Sequence, residues 1–344
     1  MIIAVPENVR RTLDSLENAG FQAFVVGGCV RDAARGVSPR DWDVCTSATP
    51  GETAAVFADY RIIETGRRHG TLTVHFDGDK IEITTFRRDG QYSDNRRPDS
   101  VSFVRDIETD LSRRDFTMNA MAYNQELIDP FGGLGDIKAR FIRCVGDAGT
   151  RFREDALRIM RALRFASELG FDIENDTRAA LFSHAHLLKN IAAERKTAEF
   201  NRLLLGGAYS VITEYREVIA AAVPALPEKI PDAIINAPNV LETRLALLFG
   251  QTHSADVAAA LRAMKYPRVF TREIARRVSR RDPHGVLPKI SDLAVRGEDL
   301  IALGLSGREV GAALRALLEL VISGEVENKR EALLNKSRGY VRRR

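Results

Sequence analysis

The sequence predicts an α+β fold: a head with a small mixed sheet, followed by helices alone. Three observations support this prediction. Short apolar runs such as residues 23–26 and 80–86 are bounded by turn formers, as strands are. Apolar residues at helical spacing occupy the intervening segments, for example residues 5–19. From about residue 152 strand patterns give way to helical periodicity, so strands and helices are segregated along the chain.

The elements of the head can be predicted in chain order. Glycine and proline mark their ends, and Thr49-Pro-Gly-Glu is typical of a helix start. An Asp77-Gly78 turn between the last two runs favours an antiparallel hairpin. The predicted elements are helix 5–19, strand 23–26, helix 31–35, strand 42–46, helix 49–58 and strands 60–63, 71–76 and 80–86.

Composition limits the class of protein. The 344 residues suffice for two or three domains, and 51 basic against 47 acidic residues give a net charge of +4. This mild excess permits a nucleic-acid partner without requiring one. Cys29, Cys45 and Cys144 have neither metal nor disulfide spacing, which favours a reducing compartment. With neither a signal peptide nor an apolar run of ~20 residues, we expect a cytoplasmic protein with no membrane contact and no obligate protein partner.

A glycine turn after the first predicted strand carries the first functional signal. Gly27 and Gly28 allow a sharp turn and a close backbone approach, and Arg31 opens the next predicted helix. Free N–H groups and the helix dipole both favour an anion at such a position. Gly-Gly turns are common without any function, so this feature alone predicts little.

Three carboxylates follow on predicted strands. Asp41 and Asp43 share one face of their strand because side chains alternate, and Glu82 lies on the polar face of the strand 80–86. Paired carboxylates beside a phosphate cradle are what magnesium-dependent phosphoryl or nucleotidyl transfer requires. On pattern alone, Glu82 is a solvated surface residue.

Together, Gly-Gly-x-Val-Arg-Asp at 27–32 and Asp-x-Asp at 41–43 resemble a known signature. It is the active-site signature of the nucleotidyltransferase superfamily, in the branch of bacterial-type (class II) tRNA nucleotidyltransferases, or CCA-adding enzymes, and poly(A) polymerases. The resemblance is strong to about residue 206 and weaker beyond. It implies a polymerase-β-like catalytic head at 1–136, a helical neck at 137–206, and a helical body and tail at 207–344 that bind tRNA.

The resemblance implies template-independent addition of C, C and A to the 3′ end of tRNA, from CTP and ATP, with release of pyrophosphate. Asp41 and Asp43 would hold Mg²⁺, one ion activating the 3′-hydroxyl and the other steadying the triphosphate. Glu82 would be the third catalytic carboxylate. Gly28 and Arg31 would bind phosphate and ribose.

A second motif begins at residue 113. Ser112 predicts the N-cap of a helix that starts at Arg113, and the charges that follow are compatible with a solvated first turn. The resemblance implies instead that Arg114, Asp115 and Asn119 bind the nucleotide's ribose and phosphates. A carboxylate that accepts from a 2′-hydroxyl would favour ribonucleotides.

A helix predicted over 154–166 is the second centre of the sequence. Its apolar face consists of Ala156, Ile159, Met160, Leu163 and Ala166. The opposite half is charged but also contains Leu157 and Phe165, which indicates that it is not simply in water. The resemblance implies that Asp155 and Arg158 read the base there, supported by Arg161 and Arg164. The alternative is a set of surface ion pairs.

Complementary hydrogen bonding explains how one Asp–Arg pair would accept two bases. Cytosine and adenine each present an amino donor beside a ring-nitrogen acceptor, whereas uracil and guanine present a carbonyl beside a ring N–H. A carboxylate beside a guanidinium matches the first arrangement and opposes the second.

The polar segment 87–100 predicts a long mobile loop. The resemblance links this position to addition of the final A, and enzymes that add only the two cytidines have it shortened. Four prolines at 224–239 indicate a boundary, and the terminal arginines 342–344 are either solvated or track phosphate.

Alternatives remain open at this point. A poly(A) polymerase shares the head motifs, and an A-only or CC-only enzyme shares most of the chain. A dinucleotide-binding oxidoreductase would need a Gly-x-Gly-x-x-Gly turn, which the sequence lacks. A non-catalytic RNA-binding protein would leave the carboxylates without a role.

Overall fold

The computed structural model describes residues 1–76, 78–90, 92, 100–285, 289–323 and 325–341. Predictions for Asp77, for loop residues 91 and 93–99 and for the terminal arginines 342–344 lie outside the described residues. The chain divides into two compact units, Met1–Glu228 and Lys229–Arg344. The division falls within the proline-rich segment 224–239. The proposed limits of head, neck and body remain a prediction.

The strands of the first unit are short. In chain order they are β1 (Ala23–Val26), β2 (Asp43–Thr46), β3 (Arg61–Ile63), β4 (Thr71–Phe76), β5 (Asp79–Thr85), β6 (Arg87–Asp89), β7 (Val101–Phe103), β8 (Ala122–Asn124), β9 (Glu126–Ile128), β10 (Phe141–Ile142) and β11 (Asp172–Ile173). Seven of them form one mixed sheet in the order β3-β4-β5-β2-β1-β8-β9. The others pair two by two, β6 with β7 and β10 with β11.

Helices flank this sheet and then continue alone, as predicted for an α+β head. Those of the first unit are α1 (Glu7–Asn18), α2 (Gly28–Ala34), α3 (Pro50–Val56), α4 (Ile107–Ser112), α5 (Gly133–Ala139), α6 (Ala148–Glu154), α7 (Leu157–Leu169), α8 (Asn175–His184), α9 (Ala193–Leu204), α10 (Ser210–Glu214) and α11 (Arg216–Ala222). Those of the second are α12 (Leu241–Leu248), α13 (Ser254–Ala263), α14 (Arg268–Ser279), α15 (Gly297–Ala302), α16 (Arg308–Ser323) and α17 (Arg330–Val341). Within the described ranges, none of these helices is both long and apolar enough to cross a membrane.

The sheet sets the positions of the candidate carboxylates. β2 pairs in parallel with β5, and Asp43 lies directly opposite Glu82 in this register. The alternation predicted for β5 is confirmed, because Ile81 and Ile83 are buried while Glu82 is exposed. Asp41 precedes β2 rather than lying in it, since the strand begins at Asp43.

The helix predicted from Arg113 is wrong. The structure has α4 ending at Ser112, with Arg113 as its C-terminal cap. Asp106 is the N-cap instead, because its carboxylate accepts from the Thr109 N–H at 2.8 Å. The Ser112 hydroxyl donates back to the Thr109 carbonyl, so it ends this helix and caps no following one.

The helix predicted over 154–166 is interrupted. Asp155 has an extended backbone (φ −135°, ψ 102°), so α6 ends before it and α7 begins after it. Its carboxylate accepts from the Leu157 N–H at 3.0 Å, which satisfies one free donor at the start of α7. The predicted apolar face is confirmed, and Arg158 and Arg164 on the opposite half are buried too.

The predicted loop 87–100 is partly paired. Arg87–Asp89 and Val101–Phe103 form the antiparallel β6–β7 ladder, so the non-repetitive part of the segment is shorter than predicted. The sequence signal is weak because β6 consists of charged residues alone and both strands are only three residues long.

Candidate active site

The glycine turn is tighter than the sequence indicated. Gly27 has φ +79°, which favours glycine, and α2 begins at Gly28, three residues before the predicted start at Arg31. A Cβ on Gly27 would lie 3.1 Å from Nη1 of Arg114. The turn therefore lets the Arg114 guanidinium pack against the backbone at the start of a helix.

A cavity of about 410 Å³, the nucleotide cavity, opens at this turn. It collects most of the predicted nucleotide-binding residues from three separate stretches of chain, 28–31, 114–119 and 155–161. Its lining consists of Gly27, Gly28, Arg31, Asp43, Arg113, Arg114, Asp115, Asn119, Asp155, Leu157, Arg158, Arg161, Phe165 and Arg195.

Arg114 is fixed at the back of this cavity by Asp110. Its Nη2 donates to the Asp110 carboxylate at 3.0 Å, and Arg113 binds the other oxygen at 2.7 Å. Burial by itself would raise the pKa of Asp110, but the two guanidinium groups lower it. The Nε of Arg114 is buried without a hydrogen-bond partner among the described residues. An oriented cation with an unused donor is suited to an anionic ligand.

Asp115 organises the other side of the cavity. Its Oδ1 accepts from the Phe116 N–H and from Asn119 Nδ2, at 2.8 and 3.1 Å. Its Oδ2 accepts from Arg161 Nε at 2.7 Å and from Arg161 Nη2. Burial alone would raise the pKa of Asp115, but Arg161 and Asn119 hold it down at about 2. Four hydrogen bonds thus reach the two oxygens of Asp115, which holds Phe116, Asn119 and Arg161 in place at the cavity wall.

Arg31 continues this network. It donates to Asn119 Oδ1 at 2.9 Å and forms an ion pair with Asp32. Its guanidinium carbon lies 5.2 Å from the ring centre of Phe165, which also carries Arg161 at 5.4 Å. The buried ring thus supports two cations at the cavity wall.

The base-reading pair predicted from sequence is not an ion pair in the structure. Asp155 Oδ2 accepts from Arg195 Nη2 at 2.9 Å, while Arg158 donates to Glu154 at 2.8 Å and to the Arg113 carbonyl at 2.9 Å. Asp155 and Arg158 both line the cavity, and each is held by a different neighbour. Three of the five Arg158 N–H groups are used within the protein, so two remain for a ligand.

Arg164 lies outside the cavity lining. It is 2% exposed, stacks at 4.0 Å on the Phe165 ring and pairs with Glu199 at 2.7 Å. Burial lowers its pKa to about 10. Its contacts place it behind the wall, where it supports the ring that Arg31 and Arg161 share.

The base of the 87–100 segment reaches the same network. Tyr92 donates to Asp89 at 2.7 Å, and Asp89 forms ion pairs with Arg87 at 3.1 Å and with Arg113 at 3.6 Å. Arg113 in turn accepts from Arg158 through its carbonyl. Arg113 therefore links Asp89, at the base of the 87–100 segment, to Arg158, a predicted base-reading residue.

A second cavity of about 720 Å³, the carboxylate cavity, is lined by Asp41, Asp43 and Glu82. Asp43 lines both cavities. The pKa of Asp43 is raised, first by partial burial and then by the charge of Glu82, with Asp41 adding to it. Arg114 offsets part of this rise, and the mutual repulsion of the carboxylates leaves room for a further cation.

The donor chemistry fits a hard divalent cation. Mg²⁺ is commonly bound through one or two carboxylates, with water and substrate phosphates completing its octahedron. Asp41 and Asp43 supply two such carboxylates. No group of three or more His, Cys, Asp or Glu side chains in the described ranges is close enough to form a metal site by itself.

The sequence did not predict a binding role for four residues that line the nucleotide cavity: Arg113, Leu157, Phe165 and Arg195. Arg195 had a usable signal, since a basic residue at the start of α9 is unusual where a helix dipole favours acids. Its partner Asp155 is 40 residues away, so the sequence alone could not identify the pair.

Comparisons with known proteins identify the family of this chain. The model of the poly A polymerase head domain matches residues 23–143, and that of the "Probable RNA and SrmB- binding site of polymerase A" matches residues 170–216. A CCA-adding enzyme of Lactobacillus delbrueckii subsp. bulgaricus is 37% identical over 377 aligned positions, which cover 93% of this chain and 94% of that relative. The chain belongs to the CCA-adding enzyme family.

Two further members of the family are similar. The enzyme of Geobacillus thermodenitrificans is 51% identical over 193 residues, which is 56% of this chain but only about half, 47%, of that relative. The crystal structure of the Bacillus stearothermophilus CCA-adding enzyme in complex with CTP is 34% identical and has a TM-score of 0.70. The match covers 98% of this chain and 97% of the B. stearothermophilus chain. As a CCA-adding family member, the protein is a nucleotidyltransferase.

Proposed function

We propose that this chain adds C, C and A in turn to the 3′ end of a tRNA that lacks them, using CTP and ATP and releasing pyrophosphate. One observation carries the proposal: Asp43 belongs to both cavities. A nucleotide held in the first cavity would thus present its phosphates beside the carboxylates of the second. The names of the relatives, and the CTP bound by the B. stearothermophilus enzyme, support the same activity.

We place Mg²⁺ at Asp41 and Asp43, whose carboxylates are the donors it prefers. When bound, the metal supplies charge neutralisation of the triphosphate and acidification of the attacking 3′-hydroxyl. Glu82, opposite Asp43 in the sheet, adds a third negative charge to this edge and raises the pKa of Asp43. Together the three carboxylates are the proposed catalytic set.

Phosphate and ribose are assigned to the basic side of the nucleotide cavity. The turn at Gly27 and Gly28 brings the backbone close to the ligand, and Arg114, oriented by Asp110, presents a cation to phosphate at the cavity wall. Because the oxygens of Asp115 are filled, the ribose 2′-hydroxyl is assigned to the remaining Nδ2 N–H of Asn119. Arg31 and Arg161 hold Asn119 and Asp115 in place.

Base selection is assigned to Asp155 and Arg158. Asp155 keeps acceptor capacity for the amino group of C or A, and Arg158 keeps two N–H donors for the ring nitrogen. Arg195 orients Asp155, and the Arg113 carbonyl orients Arg158. U and G would bring a ring N–H to the Arg158 guanidinium, donor to donor, and a carbonyl to the Asp155 carboxylate, acceptor to acceptor. Both charged side chains would then remain unpaired in a partly buried site.

The deciding experiment uses a tRNA transcript that ends before its CCA, with each of the four labelled nucleotides in turn. Addition of two C followed by one A supports the proposal. Addition of A only, of C only, or of many A would instead identify an A-adding specialist, a CC-adding specialist or a poly(A) polymerase. Incorporation of none would leave a non-catalytic RNA-binding protein.

The working compartment is proposed to be the cytoplasm, where tRNA and nucleotides are available. The three cysteines support a reducing environment, since all are buried and free.

A further inference from the structure

We propose that Asp110 is a positioning residue that sets the affinity of the site for the triphosphate of the nucleotide. It acts through Arg114, the cation that the proposed function assigns to phosphate, so the inference rests on that function. Asp110 lies in α4 and is only 1% exposed. It sits behind the wall of the nucleotide cavity, whereas Arg113 and Arg114 are part of that wall.

The two oxygens of Asp110 hold two different arms of the site. Oδ2 accepts from Arg114 Nη2 at 3.0 Å. Oδ1 accepts from Arg113 Nη2 at 2.7 Å and Nε at 3.0 Å, and from the Arg87 N–H at 3.1 Å. Among side chains, only a carboxylate has two acceptor oxygens on one group, so a neutral residue could not hold both arginines.

The first arm, Arg114, is fixed between Asp110 and the glycine turn. Its Nη1 lies against Gly27, where a Cβ would approach it to 3.1 Å. The side chain is 20% exposed at the cavity wall, and Nη1 makes no hydrogen bond with the residues that the structure describes. A free arginine side chain loses rotamer entropy when it binds a ligand. Because the ion pair with Asp110 already fixes the side chain, less entropy is lost when phosphate contacts the guanidinium.

The second arm, Arg113, leads to the base-reading side of the cavity. Its carbonyl accepts from Arg158 Nη2 at 2.9 Å. Its side chain pairs with Asp89 at 3.6 Å as well as with Asp110. Among the described residues, Arg113 thus has two carboxylate partners and Arg114 has one. A weakened Asp110 should therefore release Arg114 before it releases Arg113.

The burial of these charges indicates a role beyond stability. Burial by itself would raise the pKa of Asp110, but Arg114 and Arg113 lower it, so the carboxylate is ionised at neutral pH. The attraction within a buried ion pair often only offsets the cost of removing the ions from water, and apolar residues can replace such pairs without loss. The geometry that Asp110 imposes on two residues of the cavity wall explains the carboxylate better.

Asp110→Asn separates the two arms without a change of shape. The amide oxygen satisfies the most donors when it faces Arg113 and the Arg87 N–H, which turns the NH₂ group towards Arg114, donor to donor. Asp106→Asn is the matched control, because Asp106 is the exposed N-cap of the same helix and asparagine caps equally well. A thermal melt checks that each variant is folded.

The measurement is the affinity for CTP by calorimetry, and for cytidine by competition with CTP, with Mg²⁺ and without tRNA. We expect Asp110→Asn to weaken CTP binding about 10- to 100-fold, as for one lost hydrogen bond to a charged group. Cytidine has no phosphate, so its affinity should change less than about 2-fold. The preference for CTP over UTP should be retained, because Arg113 stays in place. Asp106→Asn should change none of these quantities.

Arg114→Met shows whether Asp110 acts through Arg114. Methionine keeps much of the length of the side chain but has no charge, so this variant should weaken CTP binding at least as much as Asp110→Asn. The double variant should bind CTP at most about 2-fold more weakly than Arg114→Met, because the two groups act as a unit.

Equal losses for CTP and cytidine with Asp110→Asn would overturn the proposal, because the residue would then only maintain the fold of the site. Additive losses in the double variant would also overturn it, since Asp110 would act by another route. Should Arg114→Met fail to fold, the ratio of CTP to cytidine affinity decides alone. If the wild type binds CTP with this dependence on Asp110 but adds no nucleotide to tRNA, the proposed function fails while the positioning role stands.

Discussion

Replacing Asp155 by asparagine separates the chemistry of base reading from the shape of the site. Asparagine keeps an oxygen for the Leu157 N–H, which Asp155 now accepts at 3.0 Å, so the start of α7 is preserved. The second carboxylate oxygen becomes an NH₂ group. In the wild type this oxygen accepts from the Arg195 guanidinium at 2.9 Å. In the variant the NH₂ group faces that guanidinium and the amino group of a bound C or A, and all three are donors.

The size of the effect follows from these contacts. Asp155 has 18% of its side chain exposed, so the interaction is partly protected from solvent. Loss of one hydrogen bond to a charged group costs about 1.5–3 kcal/mol. Asp155→Asn should therefore lower kcat/KM for CTP about 10- to 150-fold. UTP and GTP should lose much less, because the amide can offer them a donor, so discrimination falls further than activity.

The assay measures single-turnover addition of each nucleotide to a tRNA transcript lacking CCA. Asp147→Asn is the matched control, since Asp147 is a 72%-exposed N-cap of the adjacent α6 and asparagine caps equally well. It should leave all four nucleotides unchanged. Equal losses for all four with Asp155→Asn would refute the reasoning, because the residue would then be structural and the base would be read elsewhere.

Other variants test the remaining assignments. Asp41→Asn or Asp43→Asn should abolish addition while tRNA affinity, measured by anisotropy, stays within about 2-fold; substantial turnover with Mg²⁺ present would remove the metal assignment. Deleting residues 90–96, which includes Tyr92 and its contact to Asp89, should stop synthesis after two C on a sequencing gel, whereas normal addition of A would give the segment another role. Asp115→Asn should lower the free energy of unfolding at pH 7 by ~2 kcal/mol, because the folded pKa of about 2 lies below the usual 3.8. That stabilisation is complete above about pH 4 and is lost as pH falls towards 2, so urea unfolding should show the variant and wild type converging there; a difference that persists at pH 2 would mean that packing, not charge, is responsible.

The sequence by itself determined the faces of elements and the local turns. The period of apolar residues predicts which side of β5 or α7 is buried, because burial repeats with the geometry of a strand or helix. The Gly-Gly turn was predicted from residue type, and the exposed face of Glu82 on β5 from strand alternation. Resemblance to a family then assigned roles to these residues that periodicity alone left open.

Only the tertiary structure decided how the cavities are assembled. Asp155 is held by Arg195, 40 residues away, and Arg158 by the Arg113 carbonyl, 45 residues away. Hydrogen bonds between distant residues leave no periodic trace in a sequence, so neither partner could be predicted. The helix break at Asp155 has a local cause that the apolar pattern does not show. A 154–166 helix satisfies that pattern, but the Asp155 carboxylate accepts from the Leu157 N–H and lines the cavity wall.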